Sequence, residues 1–278
     1  MSDNKIIKLK DVEETLMIPL YARKLSTELF PFLYEDKYST ELVDKIDYDF
    51  SKLESKSGSF MQKFGALQVA MRQMGTQFEV LDYLEKNPKA SVVSLGCGLD
   101  HIAESCDNGL CKIYNIDFED VIFLRSKLFS SNERIKNIDA DLNDMSWFDL
   151  IDKDNGVVMY ATGVFYYFKE EEIRKLFTSM ENRFKGSVLV FDTAGEKAVK
   201  MMNKTWIKQA GIDEMVSFFY VDDADDLRKW LKDTEISSRG YMLGYNDLKD
   251  DRISPILRFM SKFCDKFFKM KIIKLYFK

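Results

Sequence analysis

The strongest chemical signal in this chain is a pair of glycines that follows a short apolar segment. Residues 92–100 read VVSLGCGLD, which places Gly96 and Gly98 directly after a strand-like run. Glycine has no Cβ, so the backbone can turn sharply there and approach a ligand closely. Ligands of open α/β sheets bind at such strand ends. The pair predicts a ligand-binding turn, although G-x-G alone is also compatible with a structural turn.

Two acidic residues follow the next two apolar segments. Asp117 ends the segment 112–116 and stands 19 residues after Gly98, close to the spacing at which an acid reaches a ribose hydroxyl. Asp141, followed by Leu142, comes after the segment 135–139. It can accept a hydrogen bond from an adenine amino group, or cap a helix. A nucleoside ligand is thus favoured, with surface acids as the alternative.

The same turn argues against two other kinds of site. A dinucleotide fingerprint needs a third glycine, and His101 occupies that position in GCGLDH. His101 is also the single histidine, so a Ser-His-Asp triad would have to use a residue inside the turn. The cysteines lack paired CxxC spacing, so we expect buried, reduced thiols and no metal site. The four are Cys97, Cys106, Cys111 and Cys264.

Helical and strand-like patterns alternate along the chain, which predicts an α/β fold with a parallel sheet and right-handed crossovers. Apolar residues at steps of three and four predict helices, and short apolar runs predict buried strands. The predicted helices cover 11–33, 40–50, 59–86, 119–130 and 170–184, and the predicted strands cover 90–95, 112–116, 135–139, 157–161 and 187–191.

The segment 253–278 differs in charge from the rest of the chain. It carries seven Lys or Arg residues and one acid, Asp265. Its pattern predicts a helix with the apolar stripe Ile256, Phe259, Met260, Phe263 and Phe267, followed by a strand over 271–277. We interpret it as a last helix and an edge strand protected by lysines. A surface for an acidic partner or a membrane is the alternative.

The overall composition limits the class of protein. The 278 residues carry a net charge of −5, which argues against nucleic acid as the main partner. No apolar run reaches the length of a membrane helix, and the polar start has no signal-peptide pattern. We therefore expect a cytoplasmic protein without a membrane partner. The sequence does not indicate an oligomeric state.

In their order and spacing, several motifs resemble those of the leucine carboxyl methyltransferase family, and within it the tetracenomycin-type polyketide O-methyltransferases. The motifs are ETLMIPLYARKL at 14–25, VVSLGCGLD at 92–100, IDFEDVIFLR at 116–125, DADLND at 139–144, Trp147, MYATGVFYYF at 159–168 and VLVFDT at 188–193. The resemblance covers roughly residues 12–245 and is fairly specific when the motifs are taken together.

The resemblance implies a single Rossmann-like class I methyltransferase domain, mostly parallel, with an antiparallel last strand. It divides residues 1–278 into a helical cap at 1–89, a cofactor-binding core at 90–193 and a substrate-side part at 194–278. It also implies S-adenosylmethionine as cofactor. By the family's pattern the cofactor residues are Gly96 and Gly98 in the turn, Asp117 at the ribose, Asp141 and Leu142 at the adenine, Arg72 at the carboxylate and Arg23 in the lid.

The chain departs from the family pattern at two places. His101 and Ile102 stand where the family commonly has Thr-Arg. Thr162 stands where the family has a glutamate that holds the cofactor's amino group. A neutral hydroxyl cannot supply the same charge-assisted bond, so affinity is lower or another group, such as a backbone carbonyl, accepts it.

We expect the methyl acceptor to be a small molecule bearing a carboxylate, which is ionised at neutral pH and needs no general base. It needs groups that orient it, and the candidates are Tyr21, Arg23, Lys24, Tyr160, Tyr166 and Tyr167. A hydroxyl acceptor would require a tyrosine or an acid to take the proton. A cofactor-binding protein with little catalysis, and an NAD-type oxidoreductase, are the alternative functions.

Overall fold

The computed structural model describes residues 7–8, 14–55, 58–210 and 218–278. Seven strands form one sheet in the spatial order β5-β4-β3-β6-β7-β9-β8, and a two-residue parallel pair, β1 with β2, lies apart from it. The strands are β1 (Ile7–Lys8), β2 (Ile46–Asp47), β3 (Ser91–Leu95), β4 (Lys112–Asp117), β5 (Ile135–Asp139), β6 (Val157–Ala161), β7 (Val188–Thr193), β8 (Thr234–Gly240) and β9 (Lys271–Phe277).

Helices connect and cover these strands. They are α1 (Glu14–Leu29), α2 (Lys37–Lys45), α3 (Ser51–Glu54), α4 (Phe60–Lys86), α5 (Ile102–Ser105), α6 (Glu119–Leu128), α7 (Glu170–Arg183), α8 (Glu196–Ala210) and α9 (Pro255–Phe267), with 3-10 turns at Met145–Leu150, Phe165–Tyr167 and Ala224–Lys229. In the part of the chain described, no helix combines the length and apolar character needed to cross a membrane.

The sheet confirms the predicted fold class. Strands β3 to β7 pair in parallel, and β9 runs antiparallel to both β7 and β8. Every residue of β3, β6 and β7 is buried, because helices cover both faces of a parallel sheet. This arrangement brings the carboxyl ends of β3, β4, β5, β6 and β7 to one edge of the sheet, which we call the carboxyl edge.

Two hydrophobic clusters occupy opposite faces of the sheet. One contains Leu67 and Met71 of α4 against β6 and β7 residues such as Val158 and Val190. The other contains the fully buried Trp147 together with Phe177 of α7. The long helix α4 matches its prediction: Ser59 caps its start by accepting from the Gln62 N–H, and it ends before Asn87-Pro88.

Three predicted elements need correction. The first helix ends at Leu29 rather than residue 33, because Pro31 lies in the turn that follows it. The helix predicted over 40–50 begins earlier, at Lys37, where Asp36 caps it, and gives way to strand β2 at Ile46. The strand predicted over 187–191 runs from Val188 to Thr193.

The last strand is also placed differently from our prediction. We predicted 271–277 as an edge strand, but β9 lies between β7 and β8. The edge is formed by β8, which the sequence analysis missed because its sequence, TEISSRG, is mostly polar and exposed. Polar edge strands of this kind resist pairing with other chains.

Candidate functional site

The turn after β3 has the conformation that its glycines predicted. Gly96 and Gly98 both have positive φ angles, +61° and +45°, which side chains with a Cβ rarely adopt. A Cβ at Gly96 would lie 2.7 Å from Cγ2 of Val164, a residue in the loop after β6. The Val164 side chain therefore lies closer to the backbone at position 96 than any residue with a Cβ would permit.

Asp117 joins the end of β4 to this turn. One carboxylate oxygen accepts a hydrogen bond of 2.7 Å from the Gly98 N–H, and the other accepts from the Phe118 N–H at 2.9 Å. The side chain is half-buried at the carboxyl edge. The predicted proximity of Asp117 to the glycine pair is thus present in the fold.

Two buried arginines hold the carbonyl groups of the turn. Arg125 of α6 donates to the carbonyls of Gly98 and Asp100, at 3.0 and 2.7 Å, and forms an ion pair of 2.8 Å with Glu104. Arg23 of α1 donates to the Leu99 carbonyl at 2.6 Å. Because the carbonyls point at these guanidinium groups, the opposite side of the turn is left for a ligand.

The carboxylate of Asp100 lies between these arginines and is buried. It accepts hydrogen bonds from the N–H groups of His101 and Ile102, at 2.6 and 3.0 Å, at the start of α5. Burial raises the pKa of Asp100 above its ordinary value, although Arg23 and Arg125 oppose this shift. Asp100 therefore shares these two cations with Glu104, which pairs with Arg125, and with Asp36, which pairs with Arg23.

Helix α1 covers the turn from outside the sheet. Leu16 lies 3.4 Å from the position that a Cβ of Gly98 would occupy. Arg23 also binds Asp36, with 3.1 Å between Nε and the carboxylate, so both of its contacts are to the protein. The lid role of α1 stays a prediction, but the helix is adjacent to the turn as that role requires.

The two other candidates on α1 lie in the same cap. Tyr21 is buried and stacks on Phe50, with ring centroids 5.7 Å apart, and burial raises its pKa. The Lys24 ammonium pairs with Glu28 at 2.8 Å. Tyr21 belongs to the same hydrophobic cluster as Leu99 of the glycine turn. An orienting role for either residue would require contact with a ligand that extends under α1.

A second cluster lies at the carboxyl ends of β6 and β7. Arg72, in the middle of α4, reaches Asp192 with 3.4 Å between Nη1 and the carboxylate. Asp192 also accepts from the Gly163 N–H at 2.6 Å and from the Tyr166 hydroxyl at 3.2 Å. Sequence analysis missed Asp192, although it is the last residue but one of the motif VLVFDT, at the position where a strand end supplies an acid.

The tyrosines divide between this cluster and the core. Tyr167 lies near Arg72 and Asp192 with 46% of its surface exposed, and partial desolvation raises its pKa. Tyr241, which sequence analysis missed, is buried near the same pair, and its pKa is also raised. Tyr160 does not belong here: it is buried inside the sheet core, where its hydroxyl accepts from the Ala103 N–H at 3.0 Å.

The remaining predicted residues follow β5 and β6. Asp141 is exposed just beyond β5, and its carboxylate accepts from the Asn143 N–H at 2.8 Å, forming a local turn. Leu142 is buried, and its carbonyl accepts from the Trp147 indole at 3.4 Å. Thr162 is half-buried directly after β6, beside the Gly163 that contacts Arg72.

The residues of the carboxyl edge fit a nucleoside joined to an amino acid. The glycine turn has two residues without a Cβ at positive φ angles, and Asp117 stands beside it. At the other end, Arg72 is 22% exposed and is bonded to Asp192 through Nη1, which leaves guanidinium N–H groups that suit an anionic group such as a carboxylate. The donor set therefore matches S-adenosylmethionine at both ends.

Two surface grooves lie away from this edge. One, of about 580 Å³, runs between the end of α4 and the loops at Pro88 and Asn108, near the amino ends of the strands. The other, of about 390 Å³, lies over β8 and β9. Neither contains the glycine turn or Arg72, so we place the candidate site by its backbone geometry and charges rather than by surface shape.

Comparisons with known proteins show the family to which the chain belongs. Residues 19–181 match the family model described as leucine carboxyl methyltransferase. The tetracenomycin polyketide synthesis O-methyltransferase TcmP of Streptomyces glaucescens is 27% identical over 192 residues, 67% of each protein. The S-adenosyl-L-methionine-dependent methyltransferase dpfgK of Gibberella zeae is 26% identical over 264 residues, 87% of this chain and 86% of that protein.

Solved structures show the same fold. A DUF574 family protein from Streptomyces avermitilis has a TM-score of 0.58 at 11% identity, covering 93% of this chain and 97% of its own. The plantazolicin methyltransferase BamL, solved with a triazolic desmethylPZN analog and SAH, has a TM-score of 0.52 at 10% identity, covering 96% and 100%. At these identities the likeness concerns the fold alone.

Proposed function

Because this chain belongs to the leucine carboxyl methyltransferase family and is an S-adenosylmethionine-dependent methyltransferase, we propose that it methylates a carboxylate oxygen of a small molecule. The curated relative TcmP is named as an O-methyltransferase of polyketide synthesis, which supports oxygen as the accepting atom. Family membership also removes the NAD-type alternative considered from the sequence.

The carboxylate proposal rests on the lack of an available base among the described side chains near Arg72. The Asp192 carboxylate is 1% exposed and already accepts hydrogen bonds from Arg72, the Gly163 N–H and Tyr166. The phenols of Tyr166, Tyr167 and Tyr241 all have raised pKa values, so none ionises readily at neutral pH. His101 stacks on Tyr38 with 3.6 Å between ring centroids, and burial lowers its pKa. An acceptor that is already ionised needs none of these groups as a base.

We assign the cofactor's holding groups to both parts of the carboxyl edge. Gly96, Gly98 and Asp117 would hold the nucleoside, with Asp141 and Leu142 beyond β5 at the adenine. Arg72 would hold the carboxylate, and backbone groups near Thr162 would take the amino group. The bound cofactor supplies an electrophilic methyl group on a sulfonium.

The chain's own contribution to the reaction is position and exclusion of water. Asp192 fixes the Arg72 guanidinium and the Gly163 backbone, so these donors need little reorganisation when a ligand binds. Leu16 and the rest of α1 cover the turn and limit solvent access. Tyr167 and Lys24 remain our candidates for orienting the acceptor, while Arg23 acts through the Leu99 carbonyl. Correct placement of reactants alone can supply several kcal/mol.

The test uses S-adenosylmethionine with a tritiated methyl group and two matched acceptor sets, aromatic carboxylic acids and the corresponding phenols. We expect labelled methyl esters, which release labelled methanol in mild alkali. Methyl ethers are stable under these conditions. Label that resists alkali, or that appears only with the phenols, would overturn the carboxylate proposal while leaving the methyltransferase assignment intact.

A cofactor-binding protein with little catalysis is the second candidate, and Thr162 favours it because the family's glutamate is missing there. Calorimetry with S-adenosylmethionine, S-adenosylhomocysteine and NAD separates the two functions when combined with the tritium assay. Binding of the sulfur ligands without transfer to any acceptor would favour this candidate. Asp117→Ala should weaken either sulfur ligand by about 1–3 kcal/mol; an unchanged affinity would mean that Asp117 does not hold the ribose.

A further inference from the structure

Helix α9 presents an apolar stripe to solvent. Ile256, Phe259, Phe263 and Phe267 recur at steps of three and four, and their exposed fractions are 62%, 71%, 42% and 45%. From the sequence we interpreted this stripe as part of a last helix followed by a lysine-protected edge strand, with a surface for an acidic partner or a membrane as the alternative. The structure instead packs α9 through Leu257, Ser261 and Cys264, which are buried on another side of the helix.

Lysines border this stripe. Lys262 and Lys266 are exposed on α9, and neither forms an ion pair with any residue that the structure describes. Lys197 of the neighbouring helix α8 lies over the Phe267 ring, 4.5 Å from its centroid. Lys269 follows the helix and is exposed, although it pairs with Asp222 at 3.2 Å. The stripe is therefore basic at its border, in a chain whose net charge is −5.

We propose that α9 docks on an anionic lipid surface, lying in the plane of the membrane with its phenylalanines inserted among the acyl chains. Helices that bind membrane interfaces combine large apolar side chains on one face with lysines at headgroup level. This proposal does not depend on the identity of the methyl acceptor. It takes up the membrane alternative that the sequence analysis left open for residues 253–278, in place of the general expectation that no membrane takes part.

The lysines at the border of the stripe favour an anionic lipid surface over a second copy of this chain. In a twofold dimer the same patch meets itself, so Lys262 and Lys266 would approach the same residues of the other copy. The acid within α9, Asp265, cannot compensate, because its carboxylate accepts the N–H groups of Met242 and Leu243 inside the fold. A surface of anionic headgroups complements the border instead.

Docking of α9 on a membrane would also orient the carboxyl edge of the sheet relative to that membrane. The Phe268 carbonyl, just beyond α9, accepts from the Gly195 N–H at 2.8 Å. Gly195 follows β7, whose end carries Asp192 and Thr193. The C-terminal end of the docked helix therefore lies beside the edge that holds Arg72 and the glycine turn.

The experiment is sedimentation of the whole protein with vesicles of phosphatidylcholine alone or mixed in equal parts with phosphatidylglycerol. We expect binding to the anionic vesicles only, lost on adding salt. Phe259→Ser/Phe263→Ser should weaken it by about tenfold or more, because each ring loses its apolar burial. Lys262→Glu/Lys266→Glu should weaken it by about fivefold or more for each lysine.

Matched controls come from elsewhere on the surface. Phe123→Ser removes a ring that is 63% exposed and has Lys127 at 5.0 Å, but lies on α6. Lys153→Glu/Lys185→Glu reverses two exposed lysines in loops at the other end of the sheet. Both should bind like the unaltered protein. Binding to neither vesicle, equal loss in the controls, or a dimer that Phe259→Ser/Phe263→Ser dissociates would each overturn the proposal.

Discussion

The two arginine-centred regions of the carboxyl edge differ in what their guanidinium groups contact. At the glycine turn, Arg125 is 1% exposed, and its Nη atoms bond to two backbone carbonyls and to Glu104. Beside β6 and β7, Arg72 is 22% exposed, and its hydrogen bond among the described residues is to Asp192. The Nε atoms of both arginines are buried without a partner in the same set of residues, so the two cations differ in exposure and in their number of bonds.

This difference distinguishes an arginine that stabilises the fold from an arginine that can bind a ligand. A buried charge whose Nη donors are bonded within the fold contributes to the geometry of the turn. A partly exposed charge with a single bonded partner can also contact a ligand. Substitutions at the two arginines should therefore separate stability from binding.

The largest effect should come from Arg125→Met. Its loss leaves Glu104 without its ion-pair partner and two turn carbonyls without their donor, so the free energy of unfolding should fall by about 3–5 kcal/mol. Urea denaturation measures it. Arg183→Met is the control, because its pair with Asp149 is exposed and should contribute less than about 1 kcal/mol. Equal losses in both variants would contradict the structural role of Arg125.

Arg72→Met should act mainly on the ligand. We expect binding of S-adenosylhomocysteine to weaken by about 1.5–3 kcal/mol, the range for a hydrogen bond to a charged group. Stability should fall less than in Arg125→Met, because Asp192 keeps its bonds from Gly163 and Tyr166. Calorimetry and urea denaturation give the two values. Lys86→Met, which breaks an exposed pair on the same helix, should change neither; unaltered binding in Arg72→Met would remove our assignment.

Gly98→Ala tests whether the backbone conformation of the glycine turn is required for stability and for ligand binding. The positive φ angle makes a Cβ unfavourable there by about 1–2 kcal/mol, so both stability and ligand binding should fall. Gly65→Ala is the matched change, since a Cβ at this α4 position meets nothing within 4 Å and its φ angle is ordinary. That variant should be unchanged or more stable by up to about 1 kcal/mol. Similar behaviour in both would mean that the turn is not constrained.

The smallest effect that we expect is a dependence of the free energy of unfolding on pH, caused by Asp100. Because burial raises its pKa, the folded protein retains a proton that the unfolded chain releases as the pH rises above about 4. Stability should therefore decline as the pH rises through this interval and level off above the folded-state pKa. Asp100→Asn cannot titrate, so its stability relative to the unaltered protein should increase over the same interval. If the free energies of unfolding of the two proteins, measured by urea denaturation, differ by a constant amount across this pH range, the assignment to Asp100 is contradicted.

Local patterns were enough to predict most of the sheet. Strand β6 and helix α4 lie where their apolar periodicity placed them, because the strand is continuously buried and the helix is long. Strand β5 also lies where it was predicted, although only Ile138 of its five residues is buried. Strand β8 was missed because its side chains are polar, so it carries no burial signal of its own. The paired position of β9 depends on β8 and could not be inferred without it.

The candidate site likewise contains residues that local sequence patterns predict and residues that they do not. Gly96, Gly98 and Asp117 were predictable because a turn and a strand end lie close together in the sequence. Arg125 stood at the end of a quoted motif, yet its role depends on carbonyls 25 residues or more away. Asp192 acts across 120 residues on Arg72. Such contacts arise from the packing of α4 and α6 on the sheet, which periodicity does not reveal.

The interior place of β9 has a consequence for biosynthesis. The parallel strands β3 to β7 can assemble as soon as residue 193 has left the ribosome, since every pairing among them is complete by then. Strand β7 must nevertheless wait with one edge open until residues 271–277 arrive, and β8 has no neighbour before that moment. A nascent chain stalled in this interval would expose the fully buried strand β7, and chaperones that shield unpaired strands should act on it there.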